Sequence, residues 1–342
     1  MGNRIDLKGT NIRYDLVLDY GDEILSSSKI VDNDGIKVTF LNVGSELSKK
    51  INKSEGNYIT IEFSDITNYE DREKCGKVLE KQIKKILELN DIKENDDCLI
   101  VGLGNVKSTP DSLGPKVIDR VMVTRHLFVL NSNVKDGIRN VSLICPGVMG
   151  NTGIESFDII YSVVKRIHPK FLIVIDALAA SSFDRVNKTI QLSDSGISPG
   201  SGIGNHRRDI SFNSLGIKVI TIGVPTVVYS NTIVSDTFDY LLKHIYYIKN
   251  NINRNKLIFK HNKNYLKDID INGLSDDEKF NLSGLIGNLS STDKRLLVKE
   301  VLSSLDYDLI VTPKDIDFII DKLSDVISSS LNNSLHKSIN NY

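Results

Sequence analysis

Phe171-Leu-Ile-Val-Ile-Asp-Ala-Leu-Ala-Ala180 is the stretch of sequence that decides the fold. An unbroken apolar run that ends in an acid and small side chains is typical of a strand buried on both faces of a parallel sheet. Open α/β sheets build their sites just beyond the carboxyl ends of such strands. Asp176 therefore stands where an active-site carboxylate is expected.

A second carboxylate follows a second strand of the same kind. The run Cys98-Leu-Ile-Val-Gly102 leads through a glycine-bearing turn to Asp111. Two acids at one rim can share a proton, as general acid and general base catalysis requires. Position alone also allows Asp111 to be a first-turn helix acid behind Thr109-Pro110, favoured by the helix dipole. The sequence predicts the pair and leaves this alternative open.

The neighbouring segments alternate between strand and helix patterns. Apolar residues fall at helical spacing between Asp71 and Leu89, and a capping box at Thr152-Gly-Ile-Glu155 precedes a second helical pattern that Pro169 ends. Strands linked through short crossovers of this kind predict a parallel sheet covered by helices. Residues 36–63 carry β-forming clusters and indicate a hairpin or two strands.

Composition excludes several classes of protein. The 342 residues include 43 basic and 44 acidic side chains, a formal net charge of -1, so no global field favours nucleic acid or an anionic membrane as a partner. The chain has no signal-peptide core and no stretch near the ~20 apolar residues of a membrane span. Cys75, Cys98 and Cys145 lack CxxC spacing, which favours reduced, buried thiols. We expect a cytoplasmic protein.

A glycine-rich segment lies between Ser193 and Arg208. Gly200, Gly202 and Gly204 precede His206, and main chain without a Cβ atom can approach a ligand closely. These four residues are candidates for substrate or oxyanion contacts. A flexible loop explains the glycines almost as well, and the spacing does not match a dinucleotide-binding motif.

Two other chemistries are weighed against the acid pair. Asp111, Asp176 and a histidine could supply oxygen and nitrogen ligands to a divalent metal, although no compact HExxH spacing supports this. Serine catalysis lacks its GxSxG elbow. The pair therefore remains the first hypothesis, with metal-assisted hydrolysis as the competitor.

Several segments share their sequence with one known family. They are Thr109-Pro-Asp111-Ser-Leu-Gly-Pro115, Val123-Thr-Arg-His126, Cys145-Pro-Gly-Val-Met-Gly150-Asn-Thr-Gly-Ile-Glu155, Val174-Ile-Asp176-Ala-Leu-Ala-Ala180, Pro199-Gly-Ser-Gly-Ile-Gly-Asn-His206-Arg, Ile222-Gly-Val-Pro-Thr226-Val-Val and Val311-Thr-Pro-Lys314-Asp-Ile-Asp317. These segments resemble the germination protease family of spore-forming bacteria. The resemblance runs from the N-terminal segment to about Asp325.

The resemblance implies an atypical aspartic endopeptidase that starts the degradation of small acid-soluble spore proteins during germination. The family's acid pair falls on Asp111 and Asp176. No cofactor or metal is implied, and the protein is expected to form a homotetramer in the cytoplasm of the forespore and spore core. It is expected to act on those spore proteins without binding nucleic acid or membrane. A non-catalytic protein that sequesters spore proteins is the alternative from another class.

The resemblance also implies a zymogen that trims its own N-terminus between Asp19 and Tyr20. The family usually has threonine where this chain has Tyr14 and glutamate where it has Asp19. The expected organisation is a propeptide over residues 1–19, an α/β catalytic domain over 20–250, a helical region over 251–325 and a disordered tail over 326–342. The implied fold resembles that of hydrogenase maturation proteases, an α/β/α three-layer sandwich with a mainly parallel sheet. Those relatives use a metal, which keeps the metal hypothesis open.

Overall fold

A computed structural model describes residues 15–20, 24, 27–130, 134–199, 208–251, 269, 276–284, 286, 289, 291–304 and 309–337. These residues form two compact units. The main unit contains the described residues of Asn11–Val227 and Thr312–Tyr342, and the second contains those of Val228–Val311. Predicted residues Gly200, Gly202, Gly204 and His206 lie outside the described part of the chain.

The main unit is built on a twisted α/β sheet whose strand order is β1-β2-β3-β7-β8-β6-β4-β5. The strands are β1 (Lys29–Asn33), β2 (Ile36–Val43), β3 (Gly56–Glu62), β4 (Cys98–Gly102), β5 (Val141–Ile144), β6 (Phe171–Ala180), β7 (Thr189–Ser193) and β8 (Lys218–Tyr229). Strand β4 pairs in parallel with β5 and β6, as the apolar runs predict.

The sheet as a whole is mixed, and the prediction of a mainly parallel sheet is wrong for its other half. Strands β1, β2, β3, β7 and β8 pair antiparallel in that order. A two-residue turn at Asp34-Gly35, both with positive φ, joins β1 to β2 as a tight hairpin. The five residues of β7 include few apolar side chains. The position of β7 between β3 and β8 therefore depends on partners that are distant in sequence.

Helices cover both faces of this sheet, which confirms the predicted three-layer α/β/α arrangement. Successive residues of a strand point to opposite faces, so Ile100 and Ile173 join one core cluster while Leu99 and Leu172 join the other. The helices of the main unit are α1 (Ser45–Ile51), α2 (Tyr69–Leu89), α3 (Leu113–Ile118), α4 (Arg125–Val129), α5 (Met149–Thr152), α6 (Ser156–Ile167), α7 (Phe212–Leu215) and α11 (Ile316–Leu335). Helices α2, α3 and α11 lie on the first face, and α6 and α7 on the second.

Helix α11 corrects the expected disordered tail for residues 326–335. The helix runs to Leu335, and Leu331 is fully buried in the main core. The many serines of this segment favour a disordered tail in the sequence, but several of them are hydrogen-bonded in the structure. Ser324 donates its hydroxyl to the Ile320 carbonyl at 2.7 Å, and Ser330 donates to the Gly76 carbonyl of α2 at 3.1 Å. Buried hydroxyls satisfied in this way allow close helix packing.

The second unit is mainly helical. It contains α8 (Ser230–Asn251), α9 (Asp276–Ser283) and α10 (Ser291–Ser304), and the short β9 (Ile310–Val311) pairs with the last residues of β8. Lys294 of α10 forms an ion pair with Asp239 of α8 at 2.5 Å. Among the described residues, no helix has the length and hydrophobicity needed to cross a membrane.

A buried histidine at the end of α11 makes stability depend on pH. His336 accepts a hydrogen bond from the Arg139 main-chain N–H at 3.1 Å, and burial, with Arg139 beside it, lowers the pKa of His336 to about 4. The unfolded chain binds a proton near the ordinary pKa of 6.5, whereas the folded chain resists it until about pH 4. The histidine therefore stabilises the fold fully above pH 6.5 and progressively less toward pH 4.

We expect His336→Gln to remove this part of the acid sensitivity. The wild-type free energy of unfolding should fall by on the order of 2 kcal/mol more than that of the variant between pH 7.5 and 4.5. Urea unfolding at both pH values measures the difference. Equal pH slopes for the two proteins would contradict the assignment.

Candidate active site

Asp111 lies in a tight turn that closes back on the end of strand β4. Residues Thr109–Asp111 form a single 3₁₀ turn in which Pro110 takes an early position and needs no N–H. The Asp111 N–H donates to the Ser108 carbonyl at 2.9 Å, and its own carbonyl accepts from the Asn105 N–H at 2.9 Å. The main chain on both sides of the carboxylate is therefore fixed.

Three glycines allow this turn to pack against the strand ends. A Cβ atom on Gly104, whose φ is +117°, would lie 2.0 Å from the Asp111 carbonyl oxygen and 3.0 Å from its Oδ1. A Cβ atom on Gly102 would lie 2.5 Å from the Gly114 carbonyl oxygen. A Cβ atom on Gly114 would lie 2.2 Å from the Leu103 carbonyl oxygen. The approach that carries Asp111 to the sheet edge requires glycine at each place.

Asp176 occupies the corresponding place on the adjacent strand. Ile175 pairs with Gly102, and its carbonyl accepts a hydrogen bond of 2.8 Å from the Leu103 N–H. Asp176 follows directly, is only 8% exposed, and accepts from the Ala177 N–H at 2.9 Å. The Asp176 side chain is therefore fixed at the point where the pairing of β6 with β4 ends.

Both acids therefore adjoin one short turn, Leu103-Gly104. Asp111 touches Gly104, and Asp176 follows the residue that is hydrogen-bonded to Leu103. The 3₁₀ turn of Asp111 also contacts strand β6. Asp111 follows the carboxyl end of β4, and Asp176 lies within β6, directly after the pairing of β6 with β4 ends. Two carboxylates placed in this way beside neighbouring parallel strands are suited to acid–base catalysis.

An N-terminal segment, residues 15–20, lies along the continuation of β6 beyond Asp176. Asp15 accepts a hydrogen bond from the Ala179 N–H at 3.0 Å, and Asp19 accepts from the Ser181 N–H at 2.8 Å. Arg185 forms an ion pair with the Asp19 carboxylate. The predicted cleavage residues Asp19 and Tyr20 thus belong to an ordered 3₁₀ segment, Val17–Tyr20, rather than to a loose end.

A small polar cavity of about 40 Å³ lies beside this segment. Its lining includes Asp15 and, from strands β7 and β8, Gln191, Ser193 and Thr221. The space can hold a water molecule because it is polar and exceeds the volume of one probe sphere. Gln191 and Arg185 lie in no recognisable motif, so the sequence alone did not predict them.

The cysteines take no part in this site. Cys75 and Cys98 are buried, and burial raises the pKa of Cys75 to about 12 and the pKa of Cys98 still further. Cys145 is exposed, and partial burial of its thiol raises its pKa. Thiols with raised pKa values are poor nucleophiles and metal ligands at neutral pH.

Histidine, cysteine and acidic side chains are the usual protein ligands of divalent metals. Within the described ranges, no three of them converge as a metal-binding group. His206, which the metal hypothesis could use, falls in the undescribed segment 200–207.

The fold and the two neighbouring acids, Asp111 and Asp176, are typical of an α/β enzyme. Comparison with known proteins identifies the family. The germination protease family matches residues 23–342. The germination protease of Priestia megaterium is 40% identical over 99% of this chain and 97% of its own length. That of Bacillus subtilis is 44% identical over 90% of this chain and 85% of its own length. The chain belongs to the germination protease family and is an endopeptidase of spore germination.

One solved structure is similar to part of this chain. It is a [NiFe] hydrogenase maturation protease, HycI, from Thermococcus kodakarensis, 17% identical, covering 42% of this chain and 79% of that one with a TM-score of 0.28. Likeness at this level carries no argument about the site. The α/β assignment depends on the sheet and helices described above.

Proposed function

We propose that this endopeptidase hydrolyses small acid-soluble spore proteins by means of Asp111 and Asp176, without a metal. The observation that carries the proposal is that the main chain of both acids adjoins the turn Leu103-Gly104. The Asp111 carbonyl packs against Gly104, and Asp176 follows Ile175, whose carbonyl accepts from the Leu103 N–H. Two acids held this close to one turn favour a state in which one is ionised and the other protonated. The proton then belongs to the pair rather than to either residue.

In this mechanism the ionised carboxylate takes a proton from water, which attacks the scissile carbonyl. The protonated carboxyl donates a hydrogen bond to the carbonyl oxygen and then a proton to the leaving amine. The Asp176 carboxylate is held by the Ala177 amide and the Asp111 main chain by its turn, so neither group needs to be ordered during the reaction. Gly200, Gly202, Gly204 and His206 remain candidates for substrate contacts.

The proposal includes a zymogen that removes residues 1–19. The acidic residue before the expected cut, Asp19, is recognised by a positive side chain and a main-chain amide, which supports a specific role for this segment. A homotetramer located in the forespore and spore core completes the proposal. Native mass spectrometry measures the oligomeric state directly.

The test is the intact mass of the full-length protein followed over time in EDTA, beside Asp176→Asn. We expect the wild type alone to lose residues 1–19. Cleavage that appears only after a divalent metal is restored would favour the metal-dependent peptidase. A wild type that binds spore proteins and cuts neither them nor itself would favour the non-catalytic alternative.

A further inference from the structure

The contacts of the N-terminal segment have the form of a binding site for acidic side chains. Asp19 has a fully buried carboxylate side chain, paired with Arg185 and hydrogen-bonded to the Ser181 N–H. A buried carboxylate is stable only when a positive partner and hydrogen-bond donors replace its hydration. An uncharged side chain at this position would leave Arg185 without that ion pair.

A second acid is held four residues earlier, at the other end of the same segment. The Asp15 carboxylate accepts from the Ala179 N–H, and the Asp15 carbonyl accepts from Lys53 Nζ at 2.8 Å. The two acids thus meet main-chain amides two residues apart on the continuation of β6. Lys53 adds positive charge at this end.

The main chain and the apolar side chains between the two acids are bound as well. The Val17 N–H donates to Gln191 Oε1 at 2.7 Å, and Gln191 Nε2 donates to the Asp15 carbonyl at 3.2 Å. Leu16, Val17 and Leu18 are 0%, 1% and 3% exposed. Contacts to the main chain do not depend on the identity of the bound residues, so another peptide of the same pattern can make them.

These contacts lie away from the catalytic carboxylates. Ser181 follows Asp176 by five residues, which corresponds to roughly 16 Å along an extended strand. The bond between Asp19 and Tyr20 also lies in a 3₁₀ segment held by the Arg185 ion pair. In this arrangement the segment is docked with the Asp19 carboxylate at Ser181 and Arg185 rather than at Asp176.

We propose that Arg185, Gln191 and the amides of Ala179 and Ser181 form an acidic docking site. The site binds a peptide with two carboxylates four residues apart and apolar residues between them. In the intact chain Asp15 and Asp19 fill it, and once that segment has left, the acidic segment of a substrate takes its place. The identity of that substrate rests on the proposed function, whereas the binding itself does not.

The test uses full-length protein in which Asp176→Asn prevents hydrolysis, and Asp15→Lys with Asp19→Lys repels the chain's own segment from the site. A fluorescein-labelled peptide with the sequence of residues 13–20 is the probe, and fluorescence anisotropy measures its binding. We expect Arg185→Gln to weaken binding at least tenfold. Arg166→Gln, which removes an exposed arginine of α6, should leave binding unchanged.

A charge reversal protects the conclusion against a variant that merely misfolds. A protein with Asp176→Asn and Arg185→Glu that keeps Asp15 and Asp19 should prefer a peptide with lysine in place of Asp19. Three results would each overturn the proposal: no binding of the peptide to the emptied site, unchanged binding after Arg185→Gln, or a continued preference of the Arg185→Glu protein for the peptide with Asp19 over the one with lysine. If the emptied site binds the peptide as expected but the protein that retains Asp176 hydrolyses no peptide, only the proposed function is rejected.

Discussion

Asp176→Asn should lower kcat/KM for hydrolysis of a small acid-soluble spore protein by about a thousandfold. Asparagine fills the same space but cannot exchange a proton, so the pair loses the group that either activates water or protonates the amine. Asp111→Asn should cause a similar loss. The double variant should be little worse than either single one, because the two acids act as a unit.

The measurement is the rate at which the intact spore protein disappears, followed by mass spectrometry at equal enzyme concentrations. Glu88→Gln provides the matched control, since it makes the same acid-to-amide change at an exposed position of α2. Thermal melting shows that each variant is folded. An Asp176→Asn protein that retains more than about a tenth of wild-type activity would contradict the mechanism.

Gly114→Ala should be strongly disruptive for a change that adds a single methyl group near the site. The added Cβ atom would lie 2.2 Å from the Leu103 carbonyl oxygen, 2.6 Å from the Leu103 N and 2.8 Å from the Ile175 carbonyl oxygen. The last two atoms form the hydrogen bond that ties β4 to β6 beside Asp176. Because all three atoms belong to main chain, no side chain can rotate away.

We expect Gly114→Ala to lower the free energy of unfolding by about 3 kcal/mol and to reduce activity further by displacing the Asp111 turn. Urea unfolding measures the first effect and spore-protein hydrolysis the second. Gly150→Ala is the control, because a Cβ atom there meets nothing within 4 Å. Similar stabilities for the two variants would show that α3 can move away at little cost.

The parallel strands β4 and β6 were predictable because each contains a continuous apolar run of neighbouring residues. The run ending at Ile175 and the run ending at Gly102 are apolar on both faces, as is typical of parallel strands that are covered by helices on both sides. Asp111 and Asp176 were predicted by the same reasoning, since the end of an apolar run is visible in sequence. The family resemblance located the expected cut at Asp19 by motif.

Other parts of the fold depend on partners distant in sequence. The place of β7 between β3 and β8 is fixed by pairing, and its own five residues carry little signal. The serines of α11 favour a disordered tail when only the sequence is considered. In the structure, Ser330 donates a hydrogen bond to the Gly76 carbonyl of α2. Composition misleads where a polar group is satisfied by a remote acceptor.

The sequence by itself determined the α/β class and predicted the two acids, because apolar periodicity and the ends of apolar runs are properties of neighbouring residues. Only the tertiary structure decided that the sheet is mixed, that Leu103-Gly104 joins the two acids, and that Arg185 receives Asp19. These features follow from close approaches between segments far apart in the chain. Such approaches depend on the packing of the whole unit, which no local pattern encodes.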